Sequence, residues 1–168
     1  FTNMYLAALL AFLPDVERAL PPVIQSAQRF LDTSAEALKP LPDAFPFDRI
    51  VYLGTDVLRG IAQESALKIL ELTAGRVAAL HDTAMGFRHG PKSVVDAHTL
   101  IVVYLSDLPE TRRYEMDLLR ELFRDKKGNQ ILAVSNGFDE EAKRLCDHYL
   151  ALESGTALPN WLLALMYI

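Results

Sequence analysis

The order of apolar runs along the chain predicts an α/β protein: a doubly wound, five-stranded parallel sheet with helices on both faces. Two observations carry this expectation. RIVYLG, TLIVVYLS and QILAVS are short, continuous runs of β-branched, aliphatic and aromatic residues, the pattern of strands covered on both sides. Between such runs lie helical stretches, such as RRYEMDLLRELFRDK with Leu118, Leu119 and Leu122 on its apolar face. Regular alternation of strand and helix implies right-handed crossovers and a parallel sheet. In such sheets the ligand lies at the carboxyl ends of the strands, near the point where strand order reverses. With the common order 2-1-3-4-5, that point falls beside Gly54 and Ser106.

The elements follow in order. Residues 4–12 read as a buried helix ended by Pro14, and a second helix runs from Val16 to about Leu38, interrupted at Pro21-Pro22. PLPDAFPFD is a stiff connector, because its three prolines cannot continue a helix. RIVYLG is the first strand, closed by Gly54, and a helix spans about Val57–Thr73. RVAALH is a weaker second strand, and Gly86, Gly90 and Pro91 make GFRHGPK an irregular loop. TLIVVYLS, the Leu-rich helix, QILAVS, a helix over EEAKRLCDH, the strand YLALES and a closing helix complete the chain. Residues 1–47 are thus expected to be N-terminal helices and connector packed on a 48–168 core.

Composition narrows the partners. The 168 residues fit one domain, with 51% hydrophobic and 23% charged residues, as in a folded globular chain. The formal charge is −5 with no run of five like charges, which disfavours a nucleic-acid surface or an acidic tail. Cys146 is the only cysteine, so an internal disulfide or a cysteine-based metal cluster is excluded; it is expected as a buried structural residue. These features suit a cytoplasmic protein. No apolar run is long enough for a membrane helix, and FTNMYLAALLAFLP lacks the basic start of a signal peptide. Both ends lie inside apolar helical patterns, so a piece of a longer protein is expected. Residues 1–12 and 161–168 would leave an apolar patch for another half or a second copy to cover, and a homodimer is expected.

The candidate chemistry sits in ESALKILE and RHGPK. Glu64, Lys68 and Glu71, at i, i+4 and i+7, project from one helix face. The spacing also fits a solvated surface pair, Glu64 before Lys68, contributing about 0.2–0.5 kcal/mol. Ala66, Leu67, Ile69 and Leu70 crowd the stripe, however, so at least one carboxylate is expected to be partly desolvated. Burial raises a carboxyl pKa and a nearby ammonium lowers it, which together suit a general base. His89, flanked by Arg88 and Lys92, is expected to be neutral and able to accept a proton, since neighbouring cations disfavour imidazolium. His81, His98 and His148 read as structural. Gly54 and Thr55 precede a helix N-terminus, a weak anion site where Asp56 would repel the anion. No glycine-rich nucleotide loop is present, and no metal or cofactor is expected.

Taken together, LG, ESALK, LELTAG, FRHGPKS and the following Asp resemble the second half of the sugar isomerase (SIS) family, over about residues 51–96. The likeness is to the tagatose-6-phosphate ketose/aldose isomerases, also described as galactosamine-6-phosphate deaminase/isomerases. The isomerase domain of glutamine–fructose-6-phosphate aminotransferase carries a related pattern. The resemblance implies the 2-1-3-4-5 fold, a sugar-phosphate substrate and roles for residues. Glu71 would shuttle a proton between C1 and C2 through an enediol(amine). His89 would help open the sugar ring, reaching a neighbouring subunit's site in the aminotransferase relatives. Glu64 and Lys68 would line the site. The chain departs from the pattern at three places. Relatives have Gly-Ser-Gly-Gly where this chain has Gly54-Thr55-Asp56-Val57. The Ser/Thr-rich phosphate loop of the first SIS half and a lysine near the C-terminus have no counterpart here. Two other readings remain: a sugar-phosphate-sensing module of a transcription regulator, and the isomerase domain of a glutamine-dependent aminosugar synthase.

Overall fold

The computed structural model describes residues 2–33 and 35–168; Phe1 of the apolar opening and Ser34 of the expected second helix lie outside the described residues. The chain runs α1 (Thr2–Phe12), α2 (Val16–Thr33), α3 (Ala35–Leu38), α4 (Leu41–Ala44), β1 (Arg49–Leu53), α5 (Val57–Leu72), β2 (Ala78–Asp82) and α6 (Ala84–Arg88). After a 3₁₀ turn (Pro91–Val94) come β3 (Thr99–Tyr104), α7 (Pro109–Arg124), β4 (Gln130–Asn136), α8 (Glu140–Arg144), β5 (His148–Leu152) and α9 (Asn160–Tyr167).

The five strands form one parallel sheet in the order β2-β1-β3-β4-β5. Val51 of β1 pairs with Leu80 of β2 and Ile101 of β3, and Val134 of β4 pairs with Leu150 of β5. Because side chains alternate across a strand, each central strand feeds two cores. Ile50, Tyr52, Leu100, Val102, Leu132 and Val134 pack on one face with residues of α2, α5 and α9. Val51, Leu53, Ile101, Val103, Ile131 and Ala133 pack on the other with residues of α6, α7 and α8. Every residue of β3 is buried, as its sequence predicts for the strand with neighbours on all sides; β2, at the edge, has no fully buried residue.

Five local expectations are corrected. The opening helix α1 is largely exposed instead of buried: Leu9 is enclosed, while Met4 and Phe12 are 78% and 82% exposed. α2 runs through Pro21 and Pro22 instead of breaking there. Each proline removes one ladder hydrogen bond. The helix survives because Val16, Leu20, Val23, Ala27 and Phe30 recur every three to four residues along the face that meets the core. The Pro-rich connector contains a turn of helix, α4, with Pro40 at its N-cap and Pro42 in its first turn, where a missing N–H costs nothing. GFRHGPK is also more regular than its glycines suggest. Thr83 caps α6 by accepting from the Gly86 N–H at 2.9 Å, and α6 carries the chain to His89 before the 3₁₀ turn. The helix after β4 ends at Arg144. The Asp147 N–H then bonds to the Ile131 carbonyl, leaving Cys146 outside the helix and only half-buried.

Candidate active site at the carboxyl edge and on α5

The passage from β1 into α5 is tight. A Cβ on Gly54 would lie 2.3 Å from the Leu58 carbonyl oxygen, so only glycine lets the first turn of α5 pass so close to the strand end. The Leu58 N–H then bonds to the Thr55 carbonyl at 3.1 Å, closing a turn with Asp56 at its first corner. Asp56 has φ 57° and ψ −129°, backbone space that glycine occupies readily and other residues only under strain. Its carboxylate does not cap α5 and instead accepts from Asn160 Nδ2 at 3.3 Å.

Beneath this turn lies a group that the sequence reading missed. Glu115 of α7 is 1% exposed; its Oε2 accepts the Ser106 N–H at 2.8 Å, and its Oε1 has no hydrogen-bond partner. The Thr55 hydroxyl, equally enclosed, lies close enough to influence that carboxyl but outside good hydrogen-bond geometry. Burial pushes the Glu115 carboxyl up to about 7, against the lowering effects of the Ser106 N–H, Thr55 and Arg112. Arg112 also bonds to the Ser106 carbonyl at 3.0 Å, Ser135 Oγ at 3.2 Å and Asp139 at 2.7 Å, while Ser106 Oγ donates to Asn160 at 2.6 Å. A polar clamp therefore fixes the loops after β1, β3 and β4 at the switch point. One signal in the sequence could have found Glu115. It precedes Leu118, Leu119 and Leu122 by three, four and seven residues, and so falls on their buried face.

The stripe on α5 is a three-membered ion cluster. Lys68 Nζ lies 2.8 Å from Glu71 and 3.6 Å from Glu64. The Glu64 side chain is 23% exposed, against 51% for Lys68 and 52% for Glu71, so the desolvated carboxylate expected from the sequence is Glu64. The hydrogen bond to Glu71 raises the Lys68 pKa further above neutrality, so the ammonium stays charged. Two carboxylates facing one ammonium leave the cluster one charge negative.

Glu64 and Lys68 also line a cleft of about 420 Å³ between α5 and α9, whose floor is Tyr52, Tyr104 and Tyr167. Gly54, Thr55, Glu71 and His89 do not line it. His89 sits at the C-terminal cap of α6, its N–H bonded to the Gly86 carbonyl at 3.2 Å, and the residue is exposed. The cations expected to surround it are matched by acids at the end of α7: Arg88 pairs with Glu121 at 2.8 Å, and Lys92 pairs with Glu121 and, at 2.9 Å, with Asp125 of the C-cap. Among the described residues no hydrogen bond or ion pair joins His89 to the α5 stripe, and no group of three or more His, Cys, Asp or Glu side chains could hold a metal ion.

No protein-family model matches the chain. It is 44% identical over 136 residues to a D-galactosamine-6-phosphate deaminase of Escherichia coli, an alignment covering 80% of this chain and 35% of that protein. With the D-galactosamine-6-phosphate deaminase of Shewanella sp. (strain ANA-3) the identity is 46% over 135 residues, covering 80% of this chain and 34% of the relative. The crystal structure of tagatose-6-phosphate ketose/aldose isomerase from Escherichia coli superposes with a TM-score of 0.82 at 37% identity, covering 95% of this chain and 44% of that one. The chain thus spans about a third of the length of the curated relatives it matches. The likeness implied by ESALKILE and RHGPK is shown, and so is the fold it implied.

Proposed function

We propose that this chain is the SIS half that supplies the proton-transfer glutamate of a phosphosugar isomerase/deaminase, converting galactosamine 6-phosphate to tagatose 6-phosphate and ammonia. The observation that carries the reading is the ion cluster on α5, with Glu71 exposed beside a charged Lys68 at 2.8 Å. Its negative balance also favours a substrate bearing an ammonium group over a plain sugar phosphate.

In this reading Glu71 takes the proton from C2 of the ring-opened aldose, giving an enolamine. The Lys68 ammonium stabilises negative charge developing on the C1 oxygen, as a positioned cation does in a partly dry site. Return of the proton to C1 gives the C2 imine; addition of water and loss of ammonia leave the ketose. An aldose with a C2 hydroxyl would follow the same proton path through an enediol and end as the ketose without loss of ammonia. His89 transfers the proton that opens the ring. Because the residue is exposed and apart from the stripe, this step is assigned to a site completed by another SIS half or a second copy, with the protein working as a cytoplasmic homodimer. Gly54 and Thr55 have a supporting part here: Gly54 admits the first turn of α5, and the Thr55 carbonyl accepts the Leu58 N–H that closes the turn into it. No helix among the described residues is long and apolar enough to cross a membrane. The test is ammonia release and ketose formation by the full-length protein, with galactosamine 6-phosphate and glucosamine 6-phosphate, for wild type and Glu71→Gln. Loss of both products in a folded Glu71→Gln variant supports the reading. Tight binding without turnover in wild type would replace it with a sensor.

A further inference from the structure

The floor of the α5–α9 cleft is a row of three tyrosines. The Tyr52 and Tyr104 rings stack at 6.3 Å and 11°, and Tyr104 and Tyr167 at 5.7 Å and 23°. Two of the three phenols are engaged by the protein. Tyr104 OH meets Ser65 Oγ at 2.8 Å, and Ser65 in turn donates to the Ile61 carbonyl at 2.8 Å. Tyr167 OH donates to the Leu105 carbonyl at 2.9 Å. Tyr52, only 8% exposed, lines the cleft, and its hydroxyl has no hydrogen-bond partner among the described residues. That hydroxyl is free to hydrogen-bond to water or to a ligand in the cleft. Glu64 and Lys68 stand at the same cleft, and Glu71 lies one helical turn beyond Lys68.

We propose that Tyr52 and Glu64 form the subsite that takes the C3 and C4 hydroxyls of the sugar, making Tyr52 a specificity-determining residue. The proposal rests on the reading of Glu71 as the residue acting at C1 and C2. With those carbons at Glu71, the adjoining part of the substrate falls at Lys68 and the cleft mouth. That part is a polyol, with apolar C–H faces and hydroxyl edges. A tyrosine floor accepts the C–H faces, a carboxylate accepts from hydroxyls, and a free phenol donates to one of them. Lys68 is already shared by Glu64 and Glu71, and the net negative charge of the three disfavours a phosphate in this cleft, so the phosphate end is directed away from it. At about 420 Å³ the cleft lies within the usual range for small-molecule sites. Burial and the neighbouring Tyr104 raise the Tyr52 pKa, keeping the phenol a neutral donor at working pH.

Tyr52→Phe in the full-length protein tests this, because the ring and its stacking remain and only the hydroxyl is lost. Galactosamine 6-phosphate and glucosamine 6-phosphate, epimers at C4, serve as probes for both turnover and direct calorimetric binding. The expected result is a KM or Kd raised about 2- to 10-fold for the preferred epimer, the range for loss of one hydrogen bond. The discrimination between epimers should narrow by a similar factor, with kcat affected less and the thermal midpoint retained. Equal constants and equal discrimination in wild type and variant would overturn the subsite while leaving the role of Glu71 standing. Binding of the epimers without turnover would overturn the catalytic reading. The subsite would then stand or fall on whether Tyr52→Phe weakens that binding. Failure of wild type to bind either epimer would overturn both.

Discussion

Replacing Glu115 with glutamine should change how the stability of this protein depends on pH. In the unfolded chain the carboxyl titrates near its ordinary value of 4.5; in the folded chain burial holds it at about 7. The folded state therefore binds more protons than the unfolded state between these values, and stability must fall as pH rises through the window. A gap of between two and three pKa units corresponds to about 3 kcal/mol, fully lost above pH 7. The strongly depressed carboxylates act in a lower window: Asp96 and Asp125 titrate at about 2, so their stabilisation is complete once pH exceeds their unfolded values near 4. Glutamine keeps an acceptor for the Ser106 N–H and adds an amide donor facing the Thr55 hydroxyl, while removing the titration. Urea unfolding at pH 5, 6, 7 and 8 should show wild type losing about 2.5 kcal/mol more than Glu115→Gln across the series, the rest of the shift lying below pH 5. The variant should equal or exceed wild type at pH 8. Parallel pH profiles, or a variant most destabilised at pH 8, would show instead that the buried carboxyl is ionised and well solvated.

Asp56→Gly should raise stability by about 1 kcal/mol, because relief of a strained φ/ψ outweighs the added freedom of the unfolded chain and the long contact with Asn160; a lower thermal midpoint would contradict this. Gly54→Ala should cost about 2 kcal/mol or more, since its Cβ would meet rigid backbone at 2.3 Å, and chemical denaturation with an unchanged m-value would report it; a cost under about 0.5 kcal/mol would show that the turn can open.

The parallel sheet was legible because its strands are buried on both faces, so RIVYLG, TLIVVYLS and QILAVS needed no tertiary context to be read. The α5 stripe was legible for the same kind of reason: i, i+4, i+7 is a statement about one helix. What escaped were features set by contacts between distant segments. Pro21 and Pro22 argue locally for a break, yet the amphipathic face of α2 keeps the helix continuous against the sheet. GFRHGPK reads as a loop until the Thr83 cap is seen to start a helix. Glu115 lies on the apolar face of a helix, but only the fold brings it to Ser106 and Thr55. The tyrosine floor joins residues of β1, β3 and α9, each more than fifty positions from the next, and no local pattern reports it.

Proton transfer by Glu71 between C2 and C1 leaves a label that turnover in D₂O reveals. Wild-type full-length protein acting on galactosamine 6-phosphate should form tagatose 6-phosphate carrying solvent deuterium at C1, seen by NMR. Glu71→Gln, folded and still binding substrate, should show neither product nor exchange of the C2 hydrogen. Deuterium incorporation by Glu71→Gln at the wild-type rate would contradict the account and return ESALKILE to an ordinary helix face.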